Sequence, residues 1–300
     1  MNLIAAITWN VSPEIFSWEI TPSFTLEVRW YGLLFATSFI VGQYILSKVF
    51  KQENRLVEDV DSIVLYMVAG VILGARLGHC LFYDPVYYLS NPMEILMVWK
   101  GGLASHGAAI GIFSSIWLYS KKHADQSYLW LLDRIALTVA MAGFFIRFGN
   151  LMNSEIVGKA TNVPWGFTFV RLGEDFARHP AQLYESLSYL AIFFFLNFTY
   201  NKTKENTAQG KIFGLFMILI FGFRFLYEFL KKNQEAFEEG MWLNMGQILS
   251  VPLVLVGIYV FLNSKKLGAL PMPEPIVATP KEIPQKKTTL KNKPTTKRKR

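Results

Sequence analysis

Along this chain, apolar positions come in blocks near twenty residues long, separated by short clusters of Lys, Arg, Asn and Glu. The blocks lie at 31–50, 61–83, 103–120, 129–151, 183–200, 211–230 and 241–263. A helix needs about 20 apolar residues to cross the hydrocarbon layer, because each residue rises only about 1.5 Å. Each block therefore predicts a spanning helix. The expected fold is all-α: a polytopic membrane protein with about seven transmembrane helices. The long connection 152–182 predicts a head on the outer face. The pattern stops near residue 263, which divides the chain into a membrane domain, 1–263, and a tail, 264–300.

Composition sharpens that picture. Of the 300 residues 52% are hydrophobic and 17% charged, with 25 Phe and 8 Trp, which argues against two soluble domains. The net charge of +8 belongs to the tail: 264–300 holds 11 Lys or Arg against Glu274 and Glu282, so the other 263 residues sum to −1. With so few apolar residues the tail is expected to be disordered, and its contact is the anionic inner leaflet, with no nucleic-acid partner. The N-terminus lacks a basic segment before Arg29 and does not read as a cleaved signal peptide. The single cysteine, Cys80, excludes an internal disulfide and reads as a packing residue. Lys and Arg favour one set of connections (Lys48, Lys51, Arg55; Lys121, Lys122; Lys202, Lys204, Lys211; the tail) over the set holding Lys100, Lys159, Arg171, Arg178, Lys231 and Lys232. By the positive-inside rule the N-terminus is outside, the C-terminus cytoplasmic, and 152–182 external.

Ionisable side chains inside spans cost about 2.5 to 3.5 kcal/mol on insertion scales, so each marks a candidate function. Several gather near the predicted outer ends: Arg76 and His79; His106; Arg147, Asn150, Asn153 and Glu155; His179, Gln182, Tyr184 and Glu185; Arg224 and Glu228. Singly, each has a structural reading. Arg224 and Glu228 pair at i, i+4, His106 is a satisfied core histidine, the asparagines join helices, and Arg76 snorkels to a headgroup. Together, the arginine forks at one membrane face suit phosphate oxygens, and a phosphate at that depth belongs to an anionic lipid. The glycines around His106 in WKGGLASHGAAIG allow a bulky ligand, or a neighbouring helix, to approach the backbone. There is no Gly-x-Ser-x-Gly elbow and no HExxH or Cys/His ligand spacing, and the last block, 241–263, lacks the Lys of a retinal Schiff base.

At these residues the sequence resembles the prolipoprotein diacylglyceryl transferase family, from about Trp30 to Ile258. The stretch Gly101-Gly102-Leu103-Ala104-Ser105-His106-Gly107 matches one family block. The signature Arg-x-Gly-Asn-Phe-x-Asn-x-Glu-x-x-Gly is present from Arg147 to Gly158, with Leu151 in place of Phe. Tyr31 in RWYG, HPAQLYES, FRFLYEF and MGQILS follow in family order. Ile146 and Ala108 replace favoured glycines, and Ile220 stands where a tyrosine is usual, a role that Tyr227 is placed to cover.

The resemblance implies an enzyme that moves the diacylglyceryl group of phosphatidylglycerol to the lipobox cysteine thiol of a prolipoprotein signal peptide, releasing glycerol phosphate. No cofactor or metal is implied, and the location is the bacterial inner membrane. The implied catalytic residues are His106, Arg147, Arg224, Glu228 and Tyr31. Phosphatidylglycerol is expected to bind through Arg147, Asn150, Asn153, Glu155, Gly158 and Arg224. His106 suits a base for the thiol, beside an arginine-centred alternative without a histidine base. The glycines then make room for lipid and peptide. A carrier or flippase that binds an anionic lipid without chemistry is the other reading.

Overall fold

The computed structural model describes residues 6–21, 24–233 and 238–271. A helix stands at each of the seven predicted stretches: α1 Trp30–Gln52, α2 Glu58–Phe82, α5 Ser105–Lys122, α6 Tyr128–Met152, α7 Ala181–Thr203, α8 Lys211–Tyr227 and α9 Met245–Leu267. Two short helices, α3 Pro85–Ser90 and α4 Pro92–Ile95, link α2 to α5. Four of the long helices, α1, α2, α6 and α9, are long and apolar enough to cross a membrane by length and composition. The remaining three are shorter or more polar: α8 has 17 residues, and α7 opens with Gln182, Glu185, Ser186 and Ser188. Helix α9 runs four residues past the expected domain boundary at 263, and the tail beyond residue 271 lies outside the described residues.

Strands absent from the all-α expectation appear at the N-terminal side. Strands β2 Glu14–Thr21 and β3 Phe24–Arg29 pair antiparallel, and β1 Ile7–Trp9 pairs in parallel with β4 Phe167–Phe169 in the 152–182 connection. Trp9 stacks on Phe167 at 5.2 Å and donates from its indole Nε1 to the Leu151 carbonyl at 3.1 Å. Leu151, Phe167 and Phe169 form a small core there, so this connection is a folded cap on the ends of α6 and α7.

The main core runs between α1, α2, α5, α6, α7 and α8. Local chemistry sets the ends. Ser127 and Asn244 accept the first free amides of α6 and α9, and Gln247 completes a capping box on α9. Helices α2 and α5 approach so closely that a Cβ on Gly111 would lie 2.0 Å from the Gly70 carbonyl oxygen, and one on Gly107 2.2 Å from that of Gly74. Helix backbone therefore fills the space beside these glycines. Of the two partners expected there, the neighbouring helix is in contact, since van der Waals contact of bare backbones holds two helices together at membrane depth, and an apolar groove runs along the seam beside Leu73, Gly74, Gly107 and Ile110. Cys80 is buried at this end of α2, as expected.

Arg76 also differs from the expected snorkelling residue. It is buried and donates to the backbone carbonyls of Glu94, Ile95 and Gly101 at 2.5, 3.0 and 2.5 Å. Gly101 and Gly102 have φ of 83° and 73°, which turn the chain so that these carbonyls converge on the guanidinium. A buried donor fork needs its acceptors supplied by protein, and here it buckles the 94–102 segment to α2.

At the opposite end of the bundle, Glu53 follows α1 and takes four donors. Arg134 of α6 donates from Nη2 at 2.8 Å and from Nε at 3.1 Å, Tyr200 of α7 at 2.7 Å and Trp130 at 3.0 Å. Asp133 beside it caps α8, accepting from the amides of Gly210 at 2.7 Å and Phe213 at 2.8 Å. Removing one member of a fully buried pair leaves the other charge unsolvated, at about 3 to 5 kcal/mol. Glu53→Ala should therefore lower stability by about that amount in a detergent unfolding titration, while Glu53→Met with Arg134→Leu should lose much less. Equal losses in the two variants would show that packing alone holds this end.

Candidate functional site

Four elements bring the predicted residues together at the end of the bundle where α6 finishes and α7 begins. Arg147, in the last turns of α6, reaches across to Glu185 in the first turns of α7, with Nε 2.7 Å from Oε2. It also hydrogen-bonds Tyr189, one turn further along α7. The other carboxylate oxygen of Glu185 meets Lys231 Nζ at 3.1 Å, and the same ammonium lies 2.7 Å from Glu228 Oε1. Glu228 then accepts from Asn244, the cap of α9, at 3.1 Å, and Arg224 Nε lies 3.7 Å from its Oε1. Arg147, Glu185, Lys231, Glu228 and Arg224 thus form one chain of alternating charge. Glu185, Lys231 and Glu228 are all buried.

Low dielectric explains the alternation. A carboxylate buried beside a single long-range partner would face a desolvation penalty of several kcal/mol per ion. Here Glu185 has two cations, and Glu228 has two cations and an amide. Within this chain three cations face two carboxylates, and Glu155, reached from Arg147 through Asn150, is the third carboxylate of the site. The open position is Arg224, which is about a third exposed and whose Nε has no hydrogen-bond partner among the described residues. A pre-organised site with an open guanidinium is built to take an anion with oxygen acceptors.

The signature from Arg147 to Gly158 closes the site from the other side. Arg147 Nη1 donates to Asn150 Oδ1 at 3.4 Å, and Asn150 Nδ2 donates to Glu155 Oε2 at 3.2 Å. Asn153 Nδ2 donates to the second oxygen of Glu155 at 3.1 Å, and the Gln182 amide donates to the Glu155 backbone carbonyl. Three amides thus spend their N–H groups on one exposed glutamate. Tyr31, in the first turn of α1, lies against Gly149, where an added Cβ would be 3.0 Å from its ring. Gly158 is required by packing: a Cβ would sit 2.4 Å from the His179 carbonyl oxygen, to which the Gly158 amide donates at 3.0 Å. Tyr227 holds the Ser188 hydroxyl at 2.5 Å, beside the Tyr184 ring at 6.3 Å, so it does bring a phenol to the flank of the site. Tyr184 in turn receives Trp165 Nε1 at 2.9 Å and meets His179 Nδ1 at 3.3 Å.

His106 is the exception. It opens α5, is exposed, and packs its ring 5.3 Å from Phe82 and 6.0 Å from Tyr83 at the end of α2. Among the described residues no hydrogen bond or ion pair joins it to the arginine–carboxylate chain. His79 lies on the same helix pair, stacked on Tyr83 at 5.3 Å.

Two members of the site were not among the predicted site residues. Lys231, which the sequence places only among the outer connections, is buried and doubly paired. The signal was its i, i+3 distance from Glu228 in FRFLYEFLKK. Asn244 was legible as the N-cap of an Asn-x-x-Gln box. Arg178, also counted as a loop charge, is buried; it donates to the Gly158 carbonyl at 3.1 Å and to both oxygens of Glu174 at 2.5 Å.

Those two bonds hold the Glu174 carboxyl below its ordinary value of 4.5. The bonded, ionised form therefore adds stability to the cap above pH 4.5, and that stability is lost as pH falls through the lower folded value. Amide protection factors across Gly158–Arg178, taken against the intrinsic exchange rate at each pH, should be high at neutral pH and fall on acidification. Glu174→Gln should exchange faster already at neutral pH and respond less to acid. A variant with wild-type protection and an unchanged acid response would remove this pair from the cap's support.

Comparison with known proteins adds a second line. A family model described as prolipoprotein diacylglyceryl transferase matches residues 19–263. A protein of Tolumonas auensis is 45% identical over 258 residues, covering 86% of this chain and 97% of its own. One of Chloroherpeton thalassium is 43% identical over 270 residues, covering 90% and 98%. One of Wolbachia pipientis is 35% identical over 262 residues, covering 86% and 97%. All three are named phosphatidylglycerol–prolipoprotein diacylglyceryl transferase.

Proposed function

The chain belongs to the prolipoprotein diacylglyceryl transferase family, and from that premise we propose how its charge chain serves the transfer of a diacylglyceryl group from phosphatidylglycerol to a prolipoprotein thiol. The protein is a membrane transferase acting at the first step of lipoprotein maturation. The observation that carries the mechanistic reading is the partly exposed guanidinium of Arg224, held near Glu228, which Lys231 also pairs.

In the reaction, the thiolate of the lipobox cysteine attacks the glyceryl carbon bonded to the phosphate oxygen. A C–S bond forms, the C–O bond breaks, and the electron pair leaves with glycerol phosphate. A phosphodiester monoanion becomes a monoester dianion, so negative charge grows on the phosphate. Donors already aimed at that charge stabilise the transition state more than the ground state. Arg224 and Arg147 supply it, with Glu228 and Glu185 as positioning residues. Asn150, Asn153, Glu155 and Tyr31 meet the headgroup, and Gly158 keeps the cap close. The thiol, with a reference pKa near 8.5, needs a base, and His106 is assigned to it. The enzyme spans the inner membrane seven times, N-terminus outside and C-terminus cytoplasmic, with this site at the outer leaflet where a secreted lipobox peptide arrives.

Purified full-length protein in phosphatidylglycerol-containing nanodiscs should lipidate a lipobox peptide, with a thioether mass shift and release of glycerol phosphate. Headgroup binding with no mass shift would instead make the chain a carrier. Within that assay two substitutions separate the roles. Lys keeps charge but loses the planar fork, so Arg224→Lys should cost activity strongly and Arg224→Ala more; parity of Lys with wild type would reduce Arg224 to steering. His106→Gln should lower the rate by about 10² or more, with partial recovery as pH rises and unchanged lipid binding. A His106→Gln enzyme that loses lipid binding and ignores pH would make this histidine a headgroup ligand.

A further inference from the structure

The β2–β3 ribbon stands immediately before α1 and exposes an unusual surface. Its register sets Phe16 opposite Val28 and Trp18 opposite Leu26, which puts these four on one face, with Ile20 at a register shift next to them. The other face carries Ser17, Glu19, Thr25 and Glu27. The apolar face is open: Trp18 is 68% exposed, Ile20 56%, Phe16 50% and Leu26 40%. A contiguous apolar face of this kind is not left in water without a partner.

We propose that this face lies in the lipid interface, with the ribbon acting as a surface anchor at the start of α1. Continuity argues for lipid as the occupant. Arg29 ends β3 and Trp30 begins α1 with no linker, and the Trp30 amide donates to the Pro13 carbonyl at 2.9 Å, tying the ribbon base to the helix start. Below it, α1 presents Leu33, Ile40 and Tyr44 outward along its apolar length. The opposite face is acidic, with Glu14, Glu19 and Glu27 against Arg29, and belongs in water. A second segment on the same side repeats the pattern: after α2 ends, Val86, Leu89, Met93 and Trp99 are each more than two-thirds exposed. Trp and aliphatic residues on one face of a thin element, with charge on the other, suit the boundary between headgroups and acyl chains, where an apolar face sinks about 5 to 10 Å.

The consequence concerns depth. Tyr31 is two residues from the ribbon, so a ribbon fixed at the headgroup level fixes Tyr31, and with it Gly149 and Asn150, at the level of the lipid phosphate. The inference rests on α1 as a spanning helix and not on the transferase mechanism.

Full-length protein carrying Cys80→Ala and one new cysteine is labelled with a nitroxide in phosphatidylglycerol-containing nanodiscs, and only variants that keep lipidating activity are read. Collision with oxygen, which dissolves in lipid, is compared with collision with a nickel chelate, which stays in water. Labels at 16, 18, 20 and 26 should favour oxygen, and labels at 17, 19 and 27 nickel. A label at 40 is the control: nickel access there would overturn the spanning reading itself. Lipid access at 40 with nickel access at 16, 18 and 20 would overturn the anchor. Shielding of 16, 18 and 20 only after a lipobox peptide is added would do so too, making the ribbon a peptide-docking strand.

Discussion

Every charge buried among these helices has to be compensated by another group of the protein, and that requirement organises both ends of the bundle. Bilayer and core offer no water, so an unpaired carboxylate or guanidinium there is excluded on energetic grounds. At one end Glu53 collects Arg134, Tyr200 and Trp130, and Arg134 lies over the Trp130 ring at 4.6 Å. Both oxygens of Glu53 are bonded and Arg134 is wholly buried. Asp133, 3.6 Å from Arg134 Nη1, is taken up by the amides that begin α8. This is a staple between α1, α6 and α7. The other end uses the same chemistry but leaves one fork, that of Arg224, partly exposed and unpaired at Nε, and that open fork is what distinguishes it.

The same distinction separates what the sequence made legible from what it did not. Hydropathy alone located seven helices to within a few residues, because twenty-residue apolar blocks have no other way to satisfy their backbone. Motif spacing recovered Arg147, Asn150, Asn153, Glu155, Arg224 and Glu228, which the fold does bring together. Partners across helices were harder. Glu185 was noted but not matched to Arg147, since nothing in either motif says which faces meet. Lys231 lies at the end of an apolar run, where a lysine ordinarily means solvent, and its pairing depends on α7 standing beside α8. Asp133 and Arg134 passed unremarked for the opposite reason, since flanking apolar residues hide them.

The strands were illegible on other grounds. β1 and β4 are three residues each and lie some 160 positions apart, so neither shows a period and only the cap at the end of α6 brings them together. The ribbon 14–29 does alternate, but an apolar run before a spanning helix reads as part of the membrane signal. Glycines left a choice open. The same absence of a Cβ suits a bound lipid and a neighbouring backbone, and sequence cannot choose between them. Gly107 and Gly111 face Gly70 and Gly74, whereas Gly101 and Gly102 serve through positive φ, wrapping a loop around Arg76. One motif thus does two structural jobs, and the histidine inside it is carried along by both.

That placement bears on how catalysis is divided. His106 rides on the α2–α5 pair, held together by a seam of backbone contacts, with its ring against Phe82 and Tyr83. Arg147 and Arg224 ride on α6 and α8, locked to α7 by Glu185 and Lys231. A reaction that uses both sets needs something to span them, and this one has two substrates. The lipid phosphate requires forks held rigidly in a low dielectric, which the buried carboxylates provide. The proposed base for the peptide thiol, His106, sits instead at an open edge, exposed at the start of α5. The nucleophile comes with the substrate, so the protein needs no reactive cysteine, and its own is buried in α2. What the fold contributes is electrostatic and positional: a charge chain whose carboxylates are compensated by the protein itself, and an exposed histidine carried on a separate helix pair.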